Sequence, residues 1–462
     1  MSHKAGDGAE LRMLRRMLLV AGALLYLAYA LITPPFQTPD EHQHLFRAWQ
    51  LAHFQLHGER RGQEAGGMLP VGLPAATLPE LGTAEPHVAV RPVPKRPLSG
   101  MFGRATPVSD AQPKVFANFL GGVLYSPAGY IPQIVGVWIG SGLGLSVESI
   151  LRLGRLLNAA MTLGLFALAL SILPVGRIFM LLLALMPMTC SMAASLGQDG
   201  LILGSCAILV AVGVRARLEG RWRGSALLLM AVAGGAIALS KMVYIPLLAL
   251  ALFPLPARGE RLAWIGWPAA LGILSLVLSA LWLDSNSGAI VRMLPGLASP
   301  GAQLGFIVHH PAAFLSVLGR TFLVNGIPVA LSTFSFGWIN VGPVWGAVLL
   351  ATVAVGIPLA AGDAGAARLG RLWRWWATLL CLVIAVGIAT AVYLAGQPLG
   401  APTVEGLQGR YFLPLLPVLC LALVRRRDGE AKSADGPKLA FALMLGANAM
   451  SLFAIGSAYY TL

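Results

Sequence analysis

The stretch Arg12–His44, RMLRRMLLVAGALLYLAYALITPPFQTPDEHQH, decides how the rest of the chain is read. Arg12, Arg15 and Arg16 precede an apolar run from Met17 to Ile32, and a proline-rich polar break follows at once. Arginines, an apolar run and Ala28-Tyr29-Ala30 near its end also fit a secretory signal peptide. The run approaches the length of a full bilayer crossing, and the most suggestive polar segment follows it directly, so the expectation is an uncleaved first span.

The same alternation of apolar run and polar break continues to the last residue. Of 462 residues, 57% are hydrophobic and 11% charged, with a mean hydropathy of +0.74. Soluble domains carry about a quarter charged residues, so a soluble enzyme is excluded. The net charge of +14 comes from 33 basic and 19 acidic residues. The positive residues sit mainly in short clusters between apolar runs, where they set membrane orientation, so nucleic acid is not an expected partner. Cys190, Cys206, Cys381 and Cys420 all lie in apolar segments without a CxxC pair. They read as small core residues, with no disulfide framework and no zinc site implied.

The expected fold class is all-α integral membrane, a polytopic helical bundle forming one domain over residues 1–462. Four clusters orient it: Arg215 to Arg223, Arg258 with Arg261, Arg368 to Arg374, and Arg425 to Lys438. All four are placed in the cytoplasm by the positive-inside rule. Crossings between them put five polar segments on the far side: about 34–116, Gly197–Gly200, Ser240–Tyr244, about 284–342 and about 396–410. Spans are expected near 14–33, 152–173, 178–196, 200–214, 224–240, 242–257, 262–283, 343–362, 375–395, 411–424 and 439–458. Two further apolar stretches, 118–142 and 312–334, are interrupted by Tyr125-Ser126-Pro127, Ile131-Pro132 and Asn325-Gly326-Ile327-Pro328. They read as re-entrant or partly embedded, which gives 11–13 transmembrane helices and a partly embedded 284–342 segment. The first extracytoplasmic loop, 34–116, is rich in Pro and Gly, with Pro92, Pro94 and Pro97 close together, and is expected to be irregular after one helix. That helix, Pro39 to His57, places Leu45, Trp49, Ala52 and Leu56 on one face, an amphipathic stripe suited to the membrane interface.

Every residue that points to chemistry lies on the far side. Asp40 and Glu41 follow the first span. One reading is a capping box, with Thr38 as N-cap, Pro39 at N1 and Glu41 at N3. The other is a carboxylate at the water–lipid boundary that acts as general base toward a hydroxyl or holds a divalent metal. His44, four residues after Asp40, shares its helical face. Gln198-Asp199 interrupts two apolar runs, and an acid there is costly unless exposed or paired, although a capped turn is the simpler account. Lys241 is the only lysine between Lys114 and Lys432 in a chain that otherwise uses arginine. It suggests an anion such as phosphate at the membrane surface, unless it merely snorkels. Arg410, in Gln408-Gly409-Arg410-Tyr411-Phe412, can grip a phosphate with both arms of its fork.

These segments resemble the landmarks of a bacterial polytopic membrane family catalogued as a domain of unknown function. Pro34-Pro35-Phe36-Gln37, Pro39-Asp40-Glu41, His44 and Arg47-Ala48 match its opening motif. Tyr125-Ser126-Pro127 with Pro132-Gln133, Ser195-Leu196 with Asp199, Ser240-Lys241 with Tyr244 and Pro246, Gly337-Trp338, and Gln408 to Phe412 follow in the same order. The family is similar in layout to the GT-C superfamily of glycosyltransferases, which use polyprenyl-phosphate sugar donors and keep an acid in the first extracytoplasmic loop. The resemblance implies a GT-C-like bundle in which Asp40 or Glu41 is catalytic and Asp199 matches a second-loop acid. Where an acid is expected after Gly337-Trp338, this chain has Ile339-Asn340.

The expectation is therefore a multi-pass protein of the bacterial inner membrane, with its active site facing the periplasm. It moves a sugar from a polyprenyl-phosphate donor to a cell-envelope glycan or lipid acceptor. Asp40 and Glu41 are the candidate catalytic residues, with His44, Arg47, Gln198, Asp199, Lys241, Tyr244, Arg410 and Tyr411 for substrate. Asp40 and Asp199 are candidate ligands of a divalent cation, Mg or Mn. A flippase or transporter of lipid-linked glycans uses the same charges differently, and an O-antigen-type polymerase or ligase would rely on the cations while Asp40 and Glu41 are dispensable.

Overall fold

A computed structural model describes residues 2–81, 95–256, 261–291, 296–363, 365–425 and 435–461. Pro92, Pro94, Arg258 and residues 426–434 of the last basic cluster lie outside the described residues. Seven described helices are long and apolar enough to cross a membrane: Gly8–Ile32, Val147–Ile172, Asp199–Glu219, Arg261–Ser285, Pro311–Phe334, Ala366–Gly396 and Asp435–Tyr459. Three shorter apolar helical stretches accompany them, Gly224–Ala238, Trp345–Ala361 and Gly409–Leu423. The protein is thus an all-α membrane protein, but the expected 11–13 long spans are not reached among the described residues.

Proline accounts for most of that difference. The span expected at 178–196 is two short helices, Arg177–Ala184 and Pro187–Ala193, because Pro187 cannot continue the first ladder. The span expected at 242–257 winds as a 3-10 helix over Met242–Ala249 with Pro246 inside. At 411–424 a 3-10 turn, Gly409–Leu415, precedes a short helix, Leu416–Leu423. Conversely, the 312–334 stretch is continuous from Pro311 to Leu331. Pro328 falls in its last turn, where one lost donor does not break it. The 118–142 stretch does stay short of a crossing. A 3-10 turn over Pro127–Tyr130 leads into Ile131–Gly142, 12 residues long, which at 1.5 Å per residue reaches about 18 Å of a hydrocarbon core about 30 Å thick.

Close approaches between helices use small residues, as expected where lipid supplies no hydrophobic drive. A Cβ on Gly136 would sit 3.0 Å from the Cα of Gly154, and one on Gly204 would meet Leu165 at 2.6 Å. Leu262 and Leu323 point fully outward as lipid-facing side chains do.

The 34–116 insertion is more ordered than expected. Its helix is Glu41–Ala52, shorter than Pro39 to His57, and all but one of its 12 residues are buried. Leu45, Trp49 and Ala52 face a core, but Gln43, Arg47 and Gln50 are buried as well, so the helix is enclosed on both sides and has no free polar face. Strands Glu59–Arg61, Glu64–Pro70 and Lys114–Asn118 then form an antiparallel sheet, with Glu59 opposite Gly66 and Met68 opposite Phe116. Gly66 is required there, because a Cβ would lie 1.8 Å from the Ala117 carbonyl oxygen.

The described residues of the basic clusters gather at one end of the bundle. Asp363 accepts from the Gly176 amide and donates its own amide to the Arg425 carbonyl. Arg374 reaches the Val424 carbonyl at 2.6 Å, Arg217 that of Pro254, and Trp222 that of Trp264. The insertion and the starts of Asp199–Glu219 and Gly409–Leu415 occupy the other end.

Candidate functional site

Three chain segments deliver the central charges. Asp199 is the first residue of its long helix, Lys241 follows the end of Gly224–Ala238, and Arg410 and Tyr411 lie in the 3-10 turn Gly409–Leu415. Lys241 Nζ donates to Asp199 Oδ1 at 2.6 Å, and both side chains keep partial exposure, 27% and 20%. The same ammonium lies 5.0 Å from the centre of the Tyr411 ring, and the Arg410 guanidinium 5.5 Å from it. Tyr244 is buried and donates to the Tyr411 carbonyl at 2.7 Å, which fixes the turn. Burial works against the Lys241 charge, but Asp199 beside it outweighs burial and holds the pKa above its ordinary value. Lys241 is therefore a permanent cation.

Asp40 and His44 complete the group. Asp40 acts on Arg410, and both Asp40 and Asp199 act on His44, through space. His44 Nδ1 lies 2.6 Å from the Tyr130 hydroxyl, and its ring stacks on Tyr125 at 5.9 Å. Burial lowers the His44 pKa despite the nearby carboxylates, so the ring is neutral at pH 7. Asp40 adopts a left-handed backbone, φ 58°, which is rare for a residue with a side chain. Its carboxylate accepts from Gln43 Nε2 at 3.2 Å, and Gln43 in turn accepts from the Gly121 amide at 2.7 Å.

The capping box is not formed. The helix begins at Glu41, Asp40 occupies the cap position without a side-chain cap bond, and Thr38 contributes its backbone carbonyl to the Glu41 amide. Glu41 is fully buried. Its carboxylate receives Arg155 Nε at 2.7 Å and Nη2 at 2.5 Å, and the amides of Phe36 and Leu196 at 3.0 and 3.3 Å. Arg155 spends its remaining donors on the carbonyls of Ala30, Thr33 and Pro34. Glu41 is thus held in a structural clamp with Arg155. Arg47 is also fully buried: it donates to the Tyr125 and Leu56 carbonyls and to Gln50, so it braces the insertion. Gln198 is buried against Gly129, whose Cβ would lie 2.3 Å from its amide oxygen.

Beside Arg410 opens a narrow cleft. Thr38, Ser191, Ser335 and Gln408 line part of it and Met188, Met192, Phe336 and Ile339 the rest, and Arg410 is the single charged lining residue. The Gly337–Val341 loop closes one side, with Trp338 Nε1 donating to the Phe36 carbonyl at 3.0 Å. A resident metal fits poorly. Among the described residues no three His, Cys, Asp or Glu side chains converge on a point, and Asp199 already faces an ammonium.

Sequence reasoning missed Arg155 and Tyr130 and read Tyr125 only as a break in an apolar stretch and a family landmark. An arginine inside the apolar run of Val147–Ile172 is itself a signal, since such a charge must find a buried partner. The tyrosines carry no comparable signature.

Residues 23–419 match the family model described as "Predicted membrane protein (DUF2142)", and the chain belongs to that family. No curated protein and no solved structure matches it.

Proposed function

We propose that the protein is a glycosyltransferase of GT-C-like layout, acting on the periplasmic side of the bacterial inner membrane. It moves a sugar from a polyprenyl-phosphate donor to a glycan or lipid acceptor. The reading rests on one observation: Arg410 lines a cleft at one end of the helical bundle and shares the Tyr411 ring with Lys241, while Asp40 acts on the same guanidinium through space.

In this reading Asp40 takes the proton of the acceptor hydroxyl while its oxygen bonds to the sugar's anomeric carbon. The bond from that carbon to the donor phosphate breaks, and the phosphate keeps the electron pair. Arg410 and Lys241 bind the phosphate as its charge grows, the step at which electrostatic stabilisation is most effective. Asp199 holds Lys241 in place, and neutral His44, fixed by Tyr130 and Tyr125, orients the Asp40 side of the site.

The test is transfer from radiolabelled polyprenyl-phosphate sugars by purified protein in liposomes. Asp40→Asn is expected to lose about 10²-fold or more in kcat, the usual contribution of a general base. Lys241→Ala is expected to weaken donor use. Equal turnover in the parent and Asp40→Asn would remove the base and with it the mechanism.

A further inference from the structure

At the opposite, arginine-rich end of the bundle lies a second, open cleft, which the transfer reaction does not use. Its walls come from three helices. Val212, Arg215, Ala216 and Glu219 recur at helical spacing along the end of Asp199–Glu219, Ile172 closes Val147–Ile172, and Ser225, Ala226 and Leu229 open Gly224–Ala238. The connecting loop adds Arg221 and Arg223.

Its charges do not balance. Glu219 is shared by two guanidiniums, with Arg215 Nε at 2.9 Å and Arg223 Nε at 2.6 Å. Among the described residues Arg221 makes no ion pair, and it is exposed. Three guanidiniums against one carboxylate leave an excess of positive charge at the rim. Ser225 and Ala226 sit in the first helical turn, where backbone amides have no intrahelical acceptor. Ile172, Val212 and Leu229 supply an apolar wall. A free phosphate has no use for that wall, and a neutral lipid has none for the arginines. We propose that this cavity is a binding site for an anionic phospholipid, with its phosphate at Arg221 and Arg215 and an acyl chain along Ile172, Val212 and Leu229. Basic pockets between helix ends at a membrane surface bind such headgroups by this combination.

Native mass spectrometry of the full chain in detergent, titrated with phosphatidylglycerol, phosphatidylcholine or inorganic phosphate, tests the site. Phosphatidylglycerol should be retained at least about tenfold more tightly than phosphatidylcholine, and Arg221→Gln should weaken it about fivefold, near 1 kcal/mol per arginine. Arg221→Lys should keep most of the binding. Ala226→Trp, which fills the pocket without touching charge, should abolish it, and Asp40→Asn at the other end should leave it unchanged. Equal retention of the two lipids, indifference to both Arg221→Gln and Ala226→Trp, or full competition by inorganic phosphate would each overturn the proposal.

Discussion

Arg155 and Glu41, 114 positions apart, meet as a two-pronged ion pair with neither side chain exposed. The pair pins the long helix Val147–Ile172 to the start of Glu41–Ala52, and Arg155 also gathers the carbonyls of the turn that ends the first span. Asp40 is the residue immediately before the clamp. Its left-handed backbone is held because the residues on both sides of it are fixed.

Removing one partner strands the other charge in a dry interior. Glu41→Gln is expected to destabilise the protein by about 3–5 kcal/mol, read as a lower thermal midpoint in detergent. The double variant Glu41→Leu with Arg155→Met should recover much of that loss, because no lone charge remains. A Glu41→Gln protein with an unchanged midpoint and no transfer activity would return Glu41 to the reaction.

Arg47 offers the same test without a carboxylate. Burial lowers its pKa to about 10, which still leaves it charged at neutral pH, and its planar fork satisfies the Tyr125 and Leu56 carbonyls together. Lysine lacks the fork, so Arg47→Lys should cost about 1–3 kcal/mol for each carbonyl left without a donor. The thermal midpoint should fall while KM for the donor holds. A raised KM at an unchanged midpoint would mean that Arg47 touches substrate.

His44 predicts a pH dependence of known sign. Burial lowers its pKa beneath the ordinary value of 6.5, so on acidification the unfolded chain takes up a proton that the folded ring refuses. The stability gained by keeping the ring neutral is present above that value and is lost as pH falls below it. His44→Gln keeps a polar group beside Tyr130 and cannot titrate. Its thermal midpoint should therefore fall less than the parent's between about pH 7.5 and 5. Parallel falls in the two proteins would show that His44 does not set the acid response.

Composition and the arginine clusters were enough to read the membrane class and to place Asp40, Asp199, Lys241 and Arg410 at the end away from those clusters, because charge is costly in lipid and its placement is therefore informative. The partition of roles was hidden. Asp40 and Glu41 are neighbours in sequence, yet across the left-handed residue Asp40 the first carboxylate pairs with Gln43 and the second is buried against Arg155. The small sheet was hidden too, since Glu64–Pro70 is buried in a run that does not alternate. Pro187 and Pro246 are visible in the sequence, but hydropathy alone reads across them. That is why 178–196 and 242–257 look like whole spans.

Gly409 sets the position of Arg410 and Tyr411 and can be tested directly. A Cβ there would lie 2.0 Å from Thr333 Oγ1 and 2.5 Å from the Val329 carbonyl, while the Gly409 amide donates to Ser332 Oγ at 2.7 Å. The hydroxyl can rotate away, but the carbonyl belongs to the helix Pro311–Leu331 and cannot, so the turn Gly409–Leu415 must shift outward. A displacement of about 1 Å at a charge-binding group can cost about a hundredfold in rate, and Gly409→Ala should lose kcat/KM on that scale. Gly326→Ala, on the same helix and with no heavy atom within 4 Å of the new Cβ, is the matched control and should keep full activity. If Gly409→Ala transfers sugar as fast as Gly326→Ala, the guanidinium of Arg410 is not where the phosphate binds.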